Sequence, residues 1–295
     1  MHLTAAQIQE FRDTGVVIPT GVLTAADLQP VIGELSAFLD ARARALLAGG
    51  KLRDLAADQP FDQRYATLYA QCPEIGAGMD IMEARGPHMF AFLRNPNLLD
   101  AVESLLGPEL TCNPIQHVRA KIPDCLTDGK PSYFNNVPWH QDGGVTMPEA
   151  DPSDILTFWI PLVDATAENG CMEVMPGAFR RGQLDHQAAG GTSIVPEQFP
   201  ELPARVAACP KGGMVIMHKH TPHRGLPNRS DRVRWTIDLR YQPTGTPTGR
   251  PWHPAFVVRS RRNPASVLTD HATWCRLWRE GLERGKGQKM HRLSR

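Results

Sequence analysis

His140 and Asp142 stand two residues apart in the segment Trp139-His140-Gln141-Asp142. Side chains along an extended segment alternate between faces, so these two point the same way and can reach one metal ion. With one further His they would form the two-His-one-carboxylate face that holds non-haem Fe(II) and leaves positions open for O2 chemistry. The pair alone arises often by chance, so its meaning depends on what lies downstream. There His218, His220 and His223 crowd one stretch. A third ligand is expected just after a strand and close to a turn. Residues 214–217 read as that strand; His218 and His220 lie at its end, and His223 precedes the turn-rich residues 225–231. All three stay candidates on this ground.

A second pattern follows at once. Val233, Trp235, Ile237, Leu239 and Tyr241 alternate with Arg234, Thr236, Asp238 and Arg240. This period-two strand has an apolar face to pack on helices and a polar face carrying Arg234 and Thr236 inward. A guanidinium turned inward is costly unless it is paired. A dicarboxylate such as 2-oxoglutarate would satisfy it, because a guanidinium fork matches a carboxylate bidentately.

These residues need a scaffold, and composition limits which kind. The chain has 295 residues, 41% of them hydrophobic, with a formal net charge of +1. It is long enough for a sizeable core, and nothing in its charge asks for nucleic acid or another polyanion. The 25 glycines and 26 prolines suit a loop-rich β-containing enzyme better than a helical bundle. The six scattered cysteines form no CxxC and read as small buried hydrophobes. The start carries no evident signal peptide and no apolar run approaches the ~20 residues of a membrane helix, so a cytoplasmic protein with no membrane partner is expected.

Along the chain, Thr4 and Gln7 make a capping box before a short helix, and residues 16–18 form a brief β-like run. Thr24 and Asp27 open a longer helix, with Leu28, Val31, Leu35, Phe38 and Leu39 at helical spacing, ending near Gly49-Gly50. Residues 51–69 read as a long loop, and 79–106 as helical with breaks at Gly86-Pro87 and Asn95-Pro96. Strands are expected over 155–163, 171–175, 213–217 and 233–241. A final helix is expected over 269–284, with Trp274 and Trp278 on one face, followed by a basic, solvated tail from Gly285 to Arg295. The expected organisation is one domain over 1–295: a largely helical part to about 110, a β core over 111–245 and a C-terminal extension over 246–295.

The combined motifs are specific where each alone is not. Trp139-His140-Gln141-Asp142, Glu168-Asn169-Gly170-Cys171, Met175-Pro176-Gly177, His223 with Asn228, and Arg234 after ten intervening residues resemble the phytanoyl-CoA dioxygenase family of Fe(II)/2-oxoglutarate oxygenases. The opening residues 3–28 also resemble the family's helix–strand–helix start, so the likeness spans residues 3–245. The resemblance implies a mainly β fold with packed helices, built on a double-stranded β-helix, that is, a jelly-roll, cupin-like core. It implies His140, Asp142 and His223 as iron ligands and Arg234 as the anchor of the far carboxylate of 2-oxoglutarate. Lys121 and Trp159 match family positions near the cosubstrate, and Gln116 is a weaker candidate for its proximal end. One position departs. The family often places Ser or Thr two residues after the distal His; here it is Gly225, and Thr236 is the candidate substitute.

The implied reaction is hydroxylation of a C–H bond in a small-molecule metabolite. It consumes O2 and 2-oxoglutarate and releases succinate and CO2, with ascorbate as a supporting reductant. Asp142 argues against halogenation, which needs the carboxylate's place for a halide. Desaturation, epoxidation and cyclisation share the same iron ligands and stay open. So do a binding protein that keeps the pocket without turnover and a zinc hydrolase. Other residues read more plainly: His218 and His220 as structural neighbours of the site, His117 and His253 as structural histidines or pocket lining, and Trp139 as a packing residue. His186 and His271 carry no signal. The pair Gly143-Gly144 allows close backbone approach, Arg240 is expected to pair with Asp238, and residues 130–137, with Tyr133, Phe134 and Asn135, read as a lid-like loop.

Overall fold

The computed structural model describes residues 1–127 and 135–292. Tyr133 and Phe134 of the expected lid lie outside the described residues. The chain begins as its capping boxes dictate. Thr4 caps α1 (Ala5–Thr14) and Thr24 caps α2 (Ala25–Ala48), each accepting from the backbone three residues on while Gln7 or Asp27 reaches back. Between them lies β1 (Val16–Val17). Residues 51–69 are not all loop: α3 (Phe61–Gln71) starts after Pro60 and buries Tyr65, Ala66 and Leu68. Its Phe61 ring stacks on Trp235, 4.9 Å between centroids, so a contact distant in sequence stabilises a helix of modest local propensity. The breaks at Gly86-Pro87 and Asn95-Pro96 divide α4 (Ile81–Ala84), α5 (Pro87–Phe92) and α6 (Pro96–Leu106), as the prolines require.

The β part contains β2 (Leu110–Cys112), β3 (His117–Lys121), β4 (Leu156–Pro161), β5 (Met172–Val174), β6 (His186–Ala188), β7 (Thr192–Ile194), β8 (Arg205–Ala207), β9 (Val215–His218), β10 (His223–Gly225), β11 (Arg234–Pro243) and β12 (Phe256–Arg259). A seven-stranded antiparallel sheet runs β1-β9-β4-β11-β2-β12, with β3 also paired to β11. A smaller sheet runs β10-β5-β8, and β6 pairs with β7. The arrangement is a jelly-roll core with helices packed on one side, and among the described residues its strands do not close into a barrel.

The alternation in β11 does what its pattern requires. Trp235, Ile237, Leu239 and Tyr241 join Leu156, Phe158 and Ile160 of β4 against the helices, in the main hydrophobic core. Arg234, Asp238 and Arg240 face the other way into a cavity between the sheets. The last helix, α7 (His271–Gly285), is capped by Asp270 and buries Trp274 and Trp278. The tail beyond it is not simply solvated: Arg292 pairs with Asp151, and Met290 and His291 line the cavity. Four cysteines are buried as expected, whereas Cys125 is exposed and Cys275 half-buried. No helix among the described residues is long and apolar enough to cross a membrane.

Candidate active site

His140 and His223 face each other across a short antiparallel bridge, exchanging backbone hydrogen bonds of 3.0 and 2.9 Å. This bridge extends the small sheet by one residue beyond β10. Gln141 between the two motif residues points the other way. Its amide donates to the carbonyls of Gly182 and His220 and its oxygen accepts from Leu184 N–H, which fixes the alternation that turns His140 and Asp142 inward. The ligand atoms of His140, Asp142 and His223 all lie within 4.8 Å of one another. Each imidazole contacts a carbonyl through Nδ1, His140 with Pro138 at 2.9 Å and His223 with Thr221 at 3.0 Å. With Nδ1–H donating there, Nε2 of both rings is left to bind a metal. Burial, reinforced by the neighbouring His223, lowers His140 to about 4, and burial also lowers His223; both are neutral at pH 7, as ligands must be. His218 and His220 are not part of this cluster; His218 Nδ1 accepts from His220 N–H instead.

Asp142 opens a 3-10 turn, Asp142–Val145, that spans the gap to the large sheet. Arg240 Nη2 donates to its Oδ1 at 2.6 Å and the Thr157 hydroxyl donates to its Oδ2. Burial alone would raise the carboxyl pKa; the surrounding groups, the Arg240 guanidinium first among them, together outweigh it and hold Asp142 ionised. Arg240 also meets Asp238 at 3.4 Å, the pairing expected from sequence, but its shorter contact is with the metal motif.

At the other end of the cavity Arg234 and Lys121 stand opposite each other on β11 and β3. Arg234 donates to Gly170 O at 3.1 Å and to the Thr236 hydroxyl at 2.8 Å, and its guanidinium lies 5.0 Å from the Trp159 ring centre. Lys121 donates to Asn136 at 2.9 Å. Neither cation has a carboxylate partner among the described residues. Burial lowers Lys121 to about 7, with Arg234 the next cause, and burial lowers Arg234 to about 10. A Cβ on Gly170, at φ +82°, would sit 2.5 Å from the Lys121 side chain; the Asn169-Gly170 turn is therefore a wall of this cradle as well as a turn. A Cβ at Gly225 would lie 3.6 Å from Lys121 Nζ, so Lys121 stands where a Ser or Thr hydroxyl there would reach. Thr236 is fully buried and its hydroxyl oxygen accepts from Arg234. Gln116 is fully buried, its amide donating to Asn113 O.

The cavity between these ends is about 360 Å³. His117 and His253 line it, His117 held by Asp80 at 2.7 Å. Trp139 packs outside, edge-on to Phe199 and under Arg224. Two supporting residues gave no signal in sequence. His186, nearly fully buried, accepts from Gln141 N–H through Nε2 at 3.0 Å; burial keeps it neutral by lowering it to about 4. A Cβ on Gly144 would sit 2.7 Å from its ring, which explains the glycine. Lys219 donates to the carbonyls of Ala150, Asp151 and Ser153 and so fixes the chain that follows the Asp142 turn.

Two imidazoles and a carboxylate facing a cavity, with a buried Arg–Lys cradle in the same cavity on a jelly-roll fold, are the architecture of a non-haem iron, 2-oxoglutarate-dependent oxygenase. The family model for phytanoyl-CoA dioxygenase (PhyH) matches residues 11–236, and the chain belongs to that family. Phytanoyl-CoA dioxygenase domain-containing protein 1 of Mus musculus is 24% identical over 277 residues, covering 80% of this chain and 90% of that protein. The apo structure of the non-heme monooxygenase ThoJ has the same fold at 22% identity, with a TM-score of 0.65 and coverage of 94% of this chain and 96% of the other. The epimerase SnoN from nogalamycin biosynthesis, solved with Fe3+, alpha ketoglutarate and nogalamycin RO, matches at a TM-score of 0.54 and 22% identity over 83% of this chain and 86% of its own.

Proposed function

We propose that the chain, acting over residues 1–295 as one catalytic unit, is an Fe(II)- and 2-oxoglutarate-dependent dioxygenase that hydroxylates a C–H bond of a small-molecule metabolite. The observation that carries this reading is the pairing of two sites in one cavity. Two neutral imidazoles with free Nε2 atoms and one ionised carboxylate suit Fe(II). Two buried cations without a carboxylate partner suit the far carboxylate of 2-oxoglutarate. With both bound, iron, 2-oxoglutarate and O2 supply an oxidant able to break an unactivated C–H bond, with succinate and CO2 as co-products.

The protein's own residues set the conditions for that chemistry. His140, Asp142 and His223 would hold the metal. Arg240 and Thr157 each hold one oxygen of Asp142, which fixes the carboxylate's orientation and keeps it charged. Lys121 and Arg234 anchor the cosubstrate, Trp159 gives it a flat wall beside Arg234, and Gly170 lets the backbone approach. Asp142 occupies the position a halide would need, so oxygen transfer is favoured over halogenation. Related oxidations share this ligand set and differ only in where the substrate lies.

Aerobic incubation with Fe(II), ascorbate and 2-oxoglutarate tests the reading. Succinate should form slowly even without substrate, require O2, and fall at least tenfold in Arg234→Ala, as expected when a buried charged partner is removed. Metal binding with no succinate in the presence of any substrate tried would point to a binding protein. Activity that persists without O2 or 2-oxoglutarate would point to a hydrolase.

A further inference from the structure

Arg250 lies in the turn between β11 and β12, beyond the residues 11–236 that match the family model. It is more than nine-tenths buried, yet it lines the same cavity as the metal ligands. Its Nε and Nη2 both donate to one carbonyl, Val145 O, at 3.1 and 2.9 Å, and Nη2 lies 3.4 Å from His291 Nε2. No hydrogen bond occupies Nη1 among the described residues, and no carboxylate pairs with the guanidinium. Two cavity arginines differ: Arg224 pairs with Glu173, and Arg240 with Asp142 and Asp238. The cation at Arg250 is therefore uncompensated, as Arg234 is, and a buried guanidinium in that state calls for an anion.

Its position relative to the candidate ligand Asp142 is fixed. Val145 is the last residue of the 3-10 turn that Asp142 opens, and Gly249 O accepts from Met147 N–H just beyond it, at 3.1 Å. Arg250 is thus tied to the metal motif from the loop after β11, whereas Lys121 and Arg234 pair at the end of β3 and the start of β11. Ile115, Val145 and Met290 give this part of the cavity an apolar lining, and His253 and His291, both held neutral by burial, are its polar neighbours. A single guanidinium beside neutral imidazoles balances one negative charge. A phosphate dianion would keep half its charge unpaired in a low-dielectric site.

We propose that Arg250 binds the carboxylate of the substrate, and that the substrate is a monocarboxylic acid with an apolar body. The inference rests on the oxygenase reading, for which it names the substrate class.

The test titrates the full-length protein, saturated with Mn(II) and 2-oxoglutarate and kept free of O2, with octanoate, octanamide and octyl phosphate by calorimetry. Octanoate should bind about tenfold or more tightly than octanamide, the size of a charge-assisted hydrogen bond. Arg250→Gln should erase that preference and Arg250→Lys should keep part of it, with thermal melting confirming that both variants fold. Equal binding of octanoate and octanamide to the unmodified protein overturns the proposal and needs no variant. An octanoate preference that survives in folded Arg250→Gln overturns it too. Octyl phosphate binding more tightly than octanoate overturns the carboxylate assignment. A parallel 2-oxoglutarate titration separates this from the broader reading. If 2-oxoglutarate fails to bind while the Arg250-dependent preference holds, the oxygenase reading falls and the acid site stands; the reverse removes the acid site alone.

Discussion

At the scale of single residues, Lys121 makes the most specific claim. Its ammonium is held beside Arg234 in a buried cradle, and burial lowers it to about 7. Only the charged form attracts a carboxylate. Affinity for 2-oxoglutarate should therefore be full below neutrality and decline as pH rises through about 7. Lys121→Arg, charged at every accessible pH, should flatten that profile. Calorimetric titrations of the Mn(II)-loaded protein on either side of neutrality would show it, and a pH-independent affinity in the unmodified protein would remove Lys121 from the cradle. The residues that could be read from sequence share one property: their roles follow from local spacing. His140 and Asp142 share a face because Gln141 must take the other, and Arg234 points inward because Trp235 must point outward. Lys121 entered only through family resemblance, and the compensation at Gly225 needed the fold, because it joins positions 121 and 225 across two strands.

At the scale of elements, the turns that carry the ligands depend on close backbone packing. Gly144→Ala would drive a methyl group into the His186 ring, which holds Gln141 N–H between the two motif ligands. The substitution should cost about 1–3 kcal/mol of stability, as overpacking does, and should weaken metal binding in the fraction that folds. Chemical denaturation and a Mn(II) titration would measure the two effects; unchanged metal affinity would detach His186 from the site. The elements legible in sequence were those with strong local signals. Both capping boxes, the Pro-marked helix breaks and the long alternation of β11 stand as read. Three-residue strands such as β6, β7, β8 and β10 are too short to show a period, and pairing with partner strands defines them. The helix α3 was hidden for a related reason: its Phe61, Tyr65 and Leu68 have helical spacing, but the Trp235 ring that Phe61 and Tyr65 meet lies far along the chain.

At the scale of the molecule, residues of both sheets and of the C-terminal tail line the cavity that holds the candidate site. The tail reads in sequence as a basic solvated end because its charge is visible and its docking on Asp151 is not. Removing residues 289–295 should leave the melting temperature nearly unchanged, since residues 289–292 add nothing to the main hydrophobic core. It should raise succinate formation uncoupled from substrate oxidation, because an opened site admits water. Unchanged uncoupled turnover would mean that the tail does not seal the cavity. All of this depends on iron held by three side chains and turning over 2-oxoglutarate. The most direct measurement is the succinate formed under air by the Fe(II)-loaded protein and by Asp142→Ala, at equal concentrations and with 2-oxoglutarate in excess. Succinate from the unmodified protein, and its loss in Asp142→Ala to the level seen without enzyme, is the expected result. Near-equal succinate from the two proteins would contradict the assignment of Asp142 and, with it, the oxygenase reading of the site.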